Sequence, residues 1–478
     1  MVPARGFVLG NAGTFTPSEK ATMRPVEHPA LLTSRPVSGI SGTARPPGDK
    51  SISHRALILG AVAIGESVIE GLLEASDVAA TAAALRCLGV DIERVDRQSW
   101  RVTGVGVGGL AEPGRVLDLG NSGTGARLLM GLVASQPMLT FFTGDESLSR
   151  RPMARVTDPL AEMGARITAR EDNFLPLCIA GAAEPVPIIH RLKMPSAQVK
   201  SAILLAGLNT PGRTSVIEPA PTRDHTETLL RHFGAEVTIE DSGNDRTVTL
   251  TGYPELEATP VEVPADPSSA AFAAIAALIT AGSDVTLANV SVNPLRAGLY
   301  QTLREMGASI DFENERIASG EPVADLRIRS SALSGITVPA SRAPSMIDEY
   351  PVLAAAAACA NGTTVLEGLG ELKHKESDRL SAIAHGLASC GVAVEAGEDS
   401  LTITGTGKPP RGHKNECAPV ESHGDHRIAM AFLTLGAGAL SPVAVDGADS
   451  IETSFPDFTG FMNGLGADIA STGAKKPS

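Results

Sequence analysis

The stretch PPGDKSISHRALILGAVAIG, Pro46–Gly65, sets two prolines and a glycine before a charged Asp49-Lys50-Ser51 step, then runs on almost wholly apolar and alanine-rich. A helix apolar on nearly all sides must be surrounded by protein, so a reactive first turn on it needs a reason. The device is repeated. NSGTGARLLMGLVA (121–134), SAQVKSAILLAGL (196–208), DPSSAAFAAIAALI (266–279), IDEYPVLAAAAA (347–358) and DHRIAMAFLTLGA (425–437) each open on a polar residue, or just before one, and continue as a buried helix.

A second series alternates with the first. The tags LGVDI, MGARI, FGAEV, MGASI, CGVAV and LGADI place Gly89, Gly164, Gly234, Gly307, Gly391 and Gly466 at intervals of 75, 70, 73, 84 and 75 residues. Each tag follows an amphipathic stretch, such as DHTETLLRH, and several precede an alternating one, such as RTVTLTG or SLTITGTG. That order spells helix, glycine cap, strand. Six βαβαββ units in two groups of three follow, which makes the chain a two-domain α/β protein. The changeovers are expected at RPPGDK near Pro47 and VPADPSS near Pro264, so one domain covers 47–264 and the other 35–46 plus 265–478. Residues 1–34 hold no sustained period and are expected to form a disordered tail, with Met23 as open a choice of natural start as Met1.

The 478 residues exceed what one core usually accommodates, in keeping with two domains. A net charge of −14 disfavours phosphate backbones and anionic lipid surfaces, so neither nucleic acid nor membrane is an expected partner. The longest apolar runs fall short of the roughly 18 residues that suggest a membrane span. Five scattered cysteines, Cys87, Cys178, Cys359, Cys390 and Cys417, signal neither a disulfide framework nor a zinc site and fit a reducing cytoplasm.

Equivalent units put equivalent helix starts on one face, and two such faces make a cleft. Helix starts carry unpaired N–H groups and partial positive charge. Lys50, Arg55, Arg127, Lys200 and Arg427 lie at or near them, and Arg150, Arg151, Arg223, Lys373, Lys375 and Arg379 lie in turns of the outer series. A substrate with several negative charges is implied. Asp348, Glu349 and Glu376 stand in the same zone, where an anion binder has no use for carboxylates and an enzyme needs an acid and a base. Blander readings remain open at this point. Lys50, Ser51 and Arg55 could be a capped helix start, Asp348 and Asp425 plain N-caps, and KESDR a salt-bridged helix face with Lys375–Asp378 and Glu376–Arg379 pairs. His54, His225, His423 and His426 read as structural rather than as metal ligands.

The motifs PGDKSISHR, GNSGTGAR, SLSRRPM, SAQVKSA, TRDHTE, SMIDEYP, HKESDRL and GDHRIAM together resemble the 3-phosphoshikimate 1-carboxyvinyltransferase (EPSP synthase) family from about Val37 to Ile469. The resemblance implies a two-domain inside-out α/β barrel with its active site in the interdomain cleft. It also implies transfer of the enolpyruvyl group of phosphoenolpyruvate to the 5-hydroxyl of shikimate 3-phosphate, with phosphate released through a tetrahedral intermediate. No metal or organic cofactor is implied. Carried over by motif, Lys50, Ser51, Arg55, Ser196, Gln198, Arg223, Asp348 and Lys375 would hold shikimate 3-phosphate. Lys50, Gly123, Arg151, Gln198, Arg379 and Arg427 would hold phosphoenolpyruvate. Asp348 would take the hydroxyl proton, Glu376 would exchange a proton with the methylene carbon, and Lys50 would stabilise charge at the leaving phosphate. A monomer whose domains close on ligand is expected, the facing cationic surfaces repelling one another until an anion bridges them.

Two positions depart from the family's pattern. Thr453, in TSFPDF, stands where many members carry a lysine. The wording of several motifs is nearest a bacterial subclass with glyphosate-insensitive members, yet NSGT keeps Gly123 where those members have alanine, so glyphosate is expected to inhibit this chain better. The rivals are a UDP-N-acetylglucosamine enolpyruvyl transferase, which shares the repeat, RNA 3'-phosphate cyclase, which the charge disfavours, and a non-enzymatic anion-binding protein. The first of these usually has a loop cysteine and a Lys-Asn pair, whereas here the pair is Lys50-Ser51 and no cysteine falls near SLSRRPM.

Overall fold

A computed structural model describes residues 31–471 apart from 97, 98, 172, 244 and 413–417. Twelve helices of seven residues or more alternate between two environments among these residues. They are α1 (Lys50–Val62), α2 (Ser76–Cys87), α3 (Gly123–Ala134), α4 (Ala154–Glu162), α5 (Ala197–Leu208), α6 (His225–His232), α7 (Pro267–Ile279), α8 (Gly298–Glu305), α9 (Tyr350–Cys359), α10 (Arg379–Ser389), α11 (His426–Gly438) and α12 (Phe458–Gly464). The odd-numbered helices are buried almost throughout, whereas the even-numbered ones bury one face.

The polar residues that open the buried series act as caps. Asp49, Ser122, Ser196, Asp266 and Asp425 accept the backbone N–H of Ile52, Gly125, Val199, Ser268 and Arg427, and so satisfy a donor the helix leaves unpaired. In α9 the cap position is Glu349, which makes no such bond. At the other end of the outer series the six tag glycines all have positive φ, from 82° at Gly391 to 106° at Gly466, a conformation that a side chain would strain. The small residues let buried helices touch: a Cβ on Gly131 of α3 would stand 2.3 Å from the carbonyl oxygen of Ala202 in α5.

Each unit builds one sheet. Leu117–Asp118 runs parallel to Leu139–Thr143, which pairs antiparallel with Phe174–Ala180, and that strand pairs antiparallel with Arg166–Arg170. Three sheets take a strand from elsewhere in the chain. Val261–Glu262 lies beside Ile64–Glu70, and Ser41–Ala44 beside Asp284–Ser291. Leu32–Arg35 sits between Val443–Val445 and Asp468–Ser471. The expectation of a tail through residue 34 is therefore corrected at its end: Leu32, Thr33 and Ser34 are the central strand of a sheet, and the rest of the tail, 1–30, lies outside the described residues.

The buried apolar side chains form two clusters, one drawn from Ile52 to Val263 and the other from Ile40 and Ala265 to Ile469. Helices lie inside and sheets outside in each, which is an inside-out α/β arrangement in two domains. The chain crosses between them twice, side by side. Asp49 N–H donates to the Pro264 carbonyl and Asp266 N–H to the Pro47 carbonyl, both at 2.8 Å. No helix among the described residues is long and apolar enough to cross a membrane.

Candidate active site

Helix starts and loops of both domains meet across the junction. Arg223, in the loop before α6, reaches the other domain and places a guanidinium nitrogen 2.6 Å from Asp348 Oδ2. Asp348 Oδ1 receives Lys375 Nζ at 3.2 Å and Arg379 Nη1 at 3.3 Å, while Arg427 Nη1 lies 3.3 Å from its backbone carbonyl. Burial pushes this carboxyl's pKa up, but the charges of Lys375, Arg223, Arg427 and Arg379 outweigh burial and hold it well below the ordinary carboxylate range. Asp348 does not cap α9, so the capping reading fails there.

Glu376 stands beside it. Its Oε2 accepts Arg379 Nη2 at 2.5 Å, and its Oε1 lies 3.8 Å from Arg151 Nη1 of the first domain. Burial again raises the pKa, and the charges of Arg379, Arg151 and Lys375 overcome it and leave the group ionised. Arg379 is itself almost inaccessible and is fixed by Asp425, whose Oδ2 accepts its Nε at 2.7 Å. Asp425 thus caps α11 and anchors the arginine that touches both candidate catalytic carboxylates. His426, next in sequence, is buried, and its pKa is pushed down to about 3, so the ring is neutral. In KESDR, the Glu376–Arg379 pair forms, but Lys375 turns to Asp348 and Asp378 becomes the cap of α10, so the stretch is not a helix face.

From the first domain, Lys50 Nζ pairs with Asp77 at the start of α2, a partner no motif announced. Gln198 accepts Arg127 Nη1 at 2.9 Å and donates to Thr124 Oγ1 at 3.0 Å, tying the starts of α3 and α5 together. Arg127 therefore belongs with the pocket cations, and burial, with Arg151 and Arg155 nearby, lowers its pKa to about 10. Gly123 opens α3 beneath the guanidinium groups of Arg127 and Arg151. Ser196 caps α5, and Ser51 gives its carbonyl to Arg55 at 2.9 Å. Arg55 is buried and donates also to Thr226 and Ser201, at 2.6 and 2.7 Å, so it backs the cleft wall. Lys200, expected among the anion-facing cations, is a correction: it is wholly enclosed with Glu218 at 2.9 Å and Glu227 at 2.6 Å, and its charge is answered inside the domain. The Thr453 hydroxyl donates to the Ser450 carbonyl in its own turn, so this position adds no charge.

The two facing surfaces do not simply repel. Arg151, Arg155 and Arg223 of the first domain meet Glu376, Glu371 and Asp348 of the second. The expectation of like-charged faces considered only the cations, whereas the carboxylates sit on the opposing wall and attract them. Among the described residues no three His, Cys, Asp or Glu side chains group as a metal site.

Known proteins resemble this chain in sequence and in fold. The family model described as EPSP synthase (3-phosphoshikimate 1-carboxyvinyltransferase) matches residues 34–462. The 3-phosphoshikimate 1-carboxyvinyltransferase of Paramagnetospirillum magneticum is 61% identical over 440 residues, covering 92% of this chain and 98% of that protein. That of Rhodospirillum rubrum is 57% identical over 453 residues, covering 94% and 100%. The solved structure of EPSP synthase from Acinetobacter baumannii superposes with a TM-score of 0.82 at 43% identity, covering 92% of this chain and all of that one. Matched over nearly its whole described length in sequence and in fold, the chain belongs to the EPSP synthase (3-phosphoshikimate 1-carboxyvinyltransferase) family.

Proposed function

We propose that the chain is a 3-phosphoshikimate 1-carboxyvinyltransferase, joining the enolpyruvyl group of phosphoenolpyruvate to the 5-hydroxyl of shikimate 3-phosphate and releasing phosphate. The observation that carries this is one guanidinium, Arg379, shared by two carboxylates, Asp348 and Glu376, within a ring of cations from both domains. Lys50, Ser51, Arg55, Ser196, Gln198, Arg223 and Lys375 hold shikimate 3-phosphate, with Asp348 turned to its 5-hydroxyl. Lys50, Gly123, Arg151, Gln198, Arg379 and Arg427 hold phosphoenolpyruvate. Asp348 takes the hydroxyl proton as the oxygen attacks C2 of phosphoenolpyruvate, and Glu376 gives a proton to the methylene carbon. The tetrahedral adduct then expels phosphate, its charge met by Lys50, as Glu376 takes a proton back from the methyl carbon.

Glu376 can donate only after gaining a proton. The groups that keep it ionised, Arg379, Arg151 and Lys375 among them, are those that the substrates' phosphate and carboxylate would engage. An anion sharing these cations weakens their hold and raises the carboxyl's pKa toward a donor's value. Binding both reactants in one cleft also removes much of the entropic barrier. The protein acts in the cytoplasm as a monomer, and Gly123 leaves it open to glyphosate despite its likeness to an insensitive subclass.

The test is phosphate release from purified protein with both substrates, beside controls omitting each. Release that needs both carries the proposal. None, with shikimate 3-phosphate bound, would point to an anion-binding protein, and no binding at all to a sugar-nucleotide substrate.

A further inference from the structure

Arg296 lies in VNPLRAG, between the strand Asp284–Ser291 and α8, and no motif marks it. Its side chain is only 2% exposed. Nη1 donates to Glu349 Oε1 at 2.9 Å, and Nη2 to Asp266 Oδ1 at 3.0 Å and Ser268 Oγ at 2.6 Å. Nη2 also stands 3.9 Å from Asp49 Oδ2. Those three carboxylates occupy the cap positions of α9, α7 and α1. One guanidinium thus faces three helix starts, one from the first domain and two from the second, at the place where the chain crosses twice between them.

Two of these cap residues have a chain neighbour in the cleft. Asp49 precedes Lys50, and Glu349 follows Asp348. A helix start moves as a unit with its cap, so the separation of Asp49 from Glu349 fixes that of Lys50 from Asp348. Arginine suits the task because its planar fork holds several oxygens in a set geometry, which a lysine ammonium does not.

We propose that Arg296 is a positioning residue for the transferase reaction: acting through Asp49 and Glu349, it sets the spacing across the cleft between the helix start that carries Lys50 and the one that carries Asp348. This rests on the transferase reading above.

The experiment compares wild type, Arg296→Lys and the double variant Arg296→Met/Asp266→Asn in phosphate release and thermal unfolding. In the double variant Asn keeps the cap of α7 while removing one buried carboxylate that the lost guanidinium answered. Both variants are expected to lose kcat by about 100-fold, the effect of a displacement of roughly 1 Å, with a much smaller change in KM. The loss should persist at temperatures well below each variant's unfolding transition. A purely structural arginine would instead lower Tm and leave kcat intact at those temperatures, and that result in either folded variant would overturn the proposal. Should Arg296→Lys fail to fold, the double variant decides. Wild type releasing no phosphate would sink the transferase reading and this inference with it. Release by wild type, matched by the variants, would sink the inference alone.

Discussion

Arg223 and Asp348 belong to different domains, and their guanidinium and carboxylate meet at 2.6 Å. The contact ties the proposed shikimate 3-phosphate wall to the proposed base. Replacing Asp348 by Asn should lower kcat by about 10²–10⁴-fold, the range for loss of a general base. Binding should survive, because Arg223, Lys375 and Arg379 are then left with less negative charge to answer. Phosphate release and calorimetric binding check both halves, and an undiminished kcat would remove Asp348 from the mechanism.

Gly123 offers a second test. A Cβ there would stand 3.0 Å from Arg127 Nη1 and 3.2 Å from Arg151 Nη1, so both guanidinium groups would have to retreat. Arg151 is a proposed phosphoenolpyruvate ligand, so shifting its tip by a few tenths of an ångström predicts that Gly123→Ala weakens glyphosate inhibition, about tenfold for each 1.4 kcal/mol of binding lost. Inhibition curves that coincide for the two proteins would refute it.

His225 of α6 pairs with Glu321 across the domain junction at 2.7 Å. Asn293 donates to both Glu321 and Asp224 beside it. Burial lowers the imidazole's pKa, Glu321 and Asp49 raise it, Arg55 lowers it, and on balance it rises. A raised folded pKa adds stability that is complete below the unfolded value near 6.5 and disappears as pH climbs through the folded value. Every tenfold gain in the ring's proton affinity on folding is worth about 1.4 kcal/mol. The stability gap between wild type and Glu321→Gln should therefore be wide at pH 6 and narrow at pH 9, and denaturation showing the same gap at both would contradict the pairing.

Lys200 sits between two buried carboxylates, and burial already raises the pKa of Glu218. Removing the ammonium as Lys200→Met strands both, which should destabilise the first domain by about 3–5 kcal/mol. A variant as stable as wild type in urea would mean that the carboxylates take up protons without penalty.

The repeat was legible because it is written in glycine. A tag at the end of each outer helix needs positive φ, and only glycine adopts that freely, so six turns announce themselves in the sequence. The polar openings of α1, α3, α5, α7 and α11 were equally plain as caps. Charge partnership was not legible. Nothing local separates Lys200, enclosed by Glu218 and Glu227, from Lys50, which pairs with Asp77 and stays partly exposed, because the difference lies in which loops return to each helix start. Asp77 looks like any acidic residue in a first helical turn, and Arg296 like any loop arginine, until the third dimension brings them to Lys50 and to three caps. Leu32–Ser34 was misread for a similar reason, since the strands that pair with it lie at the far end of the chain.

That last pairing orders events on the ribosome. Leu32–Arg35 is the first strand of the described residues to be made, but its neighbours Val443–Val445 and Asp468–Ser471 are the last two. At about 5–20 residues per second, this strand waits on the order of a minute for its sheet, while the first domain has all its own strands once Val261–Glu262 is out. The first domain can therefore fold during synthesis, before the strands that complete the second have been made.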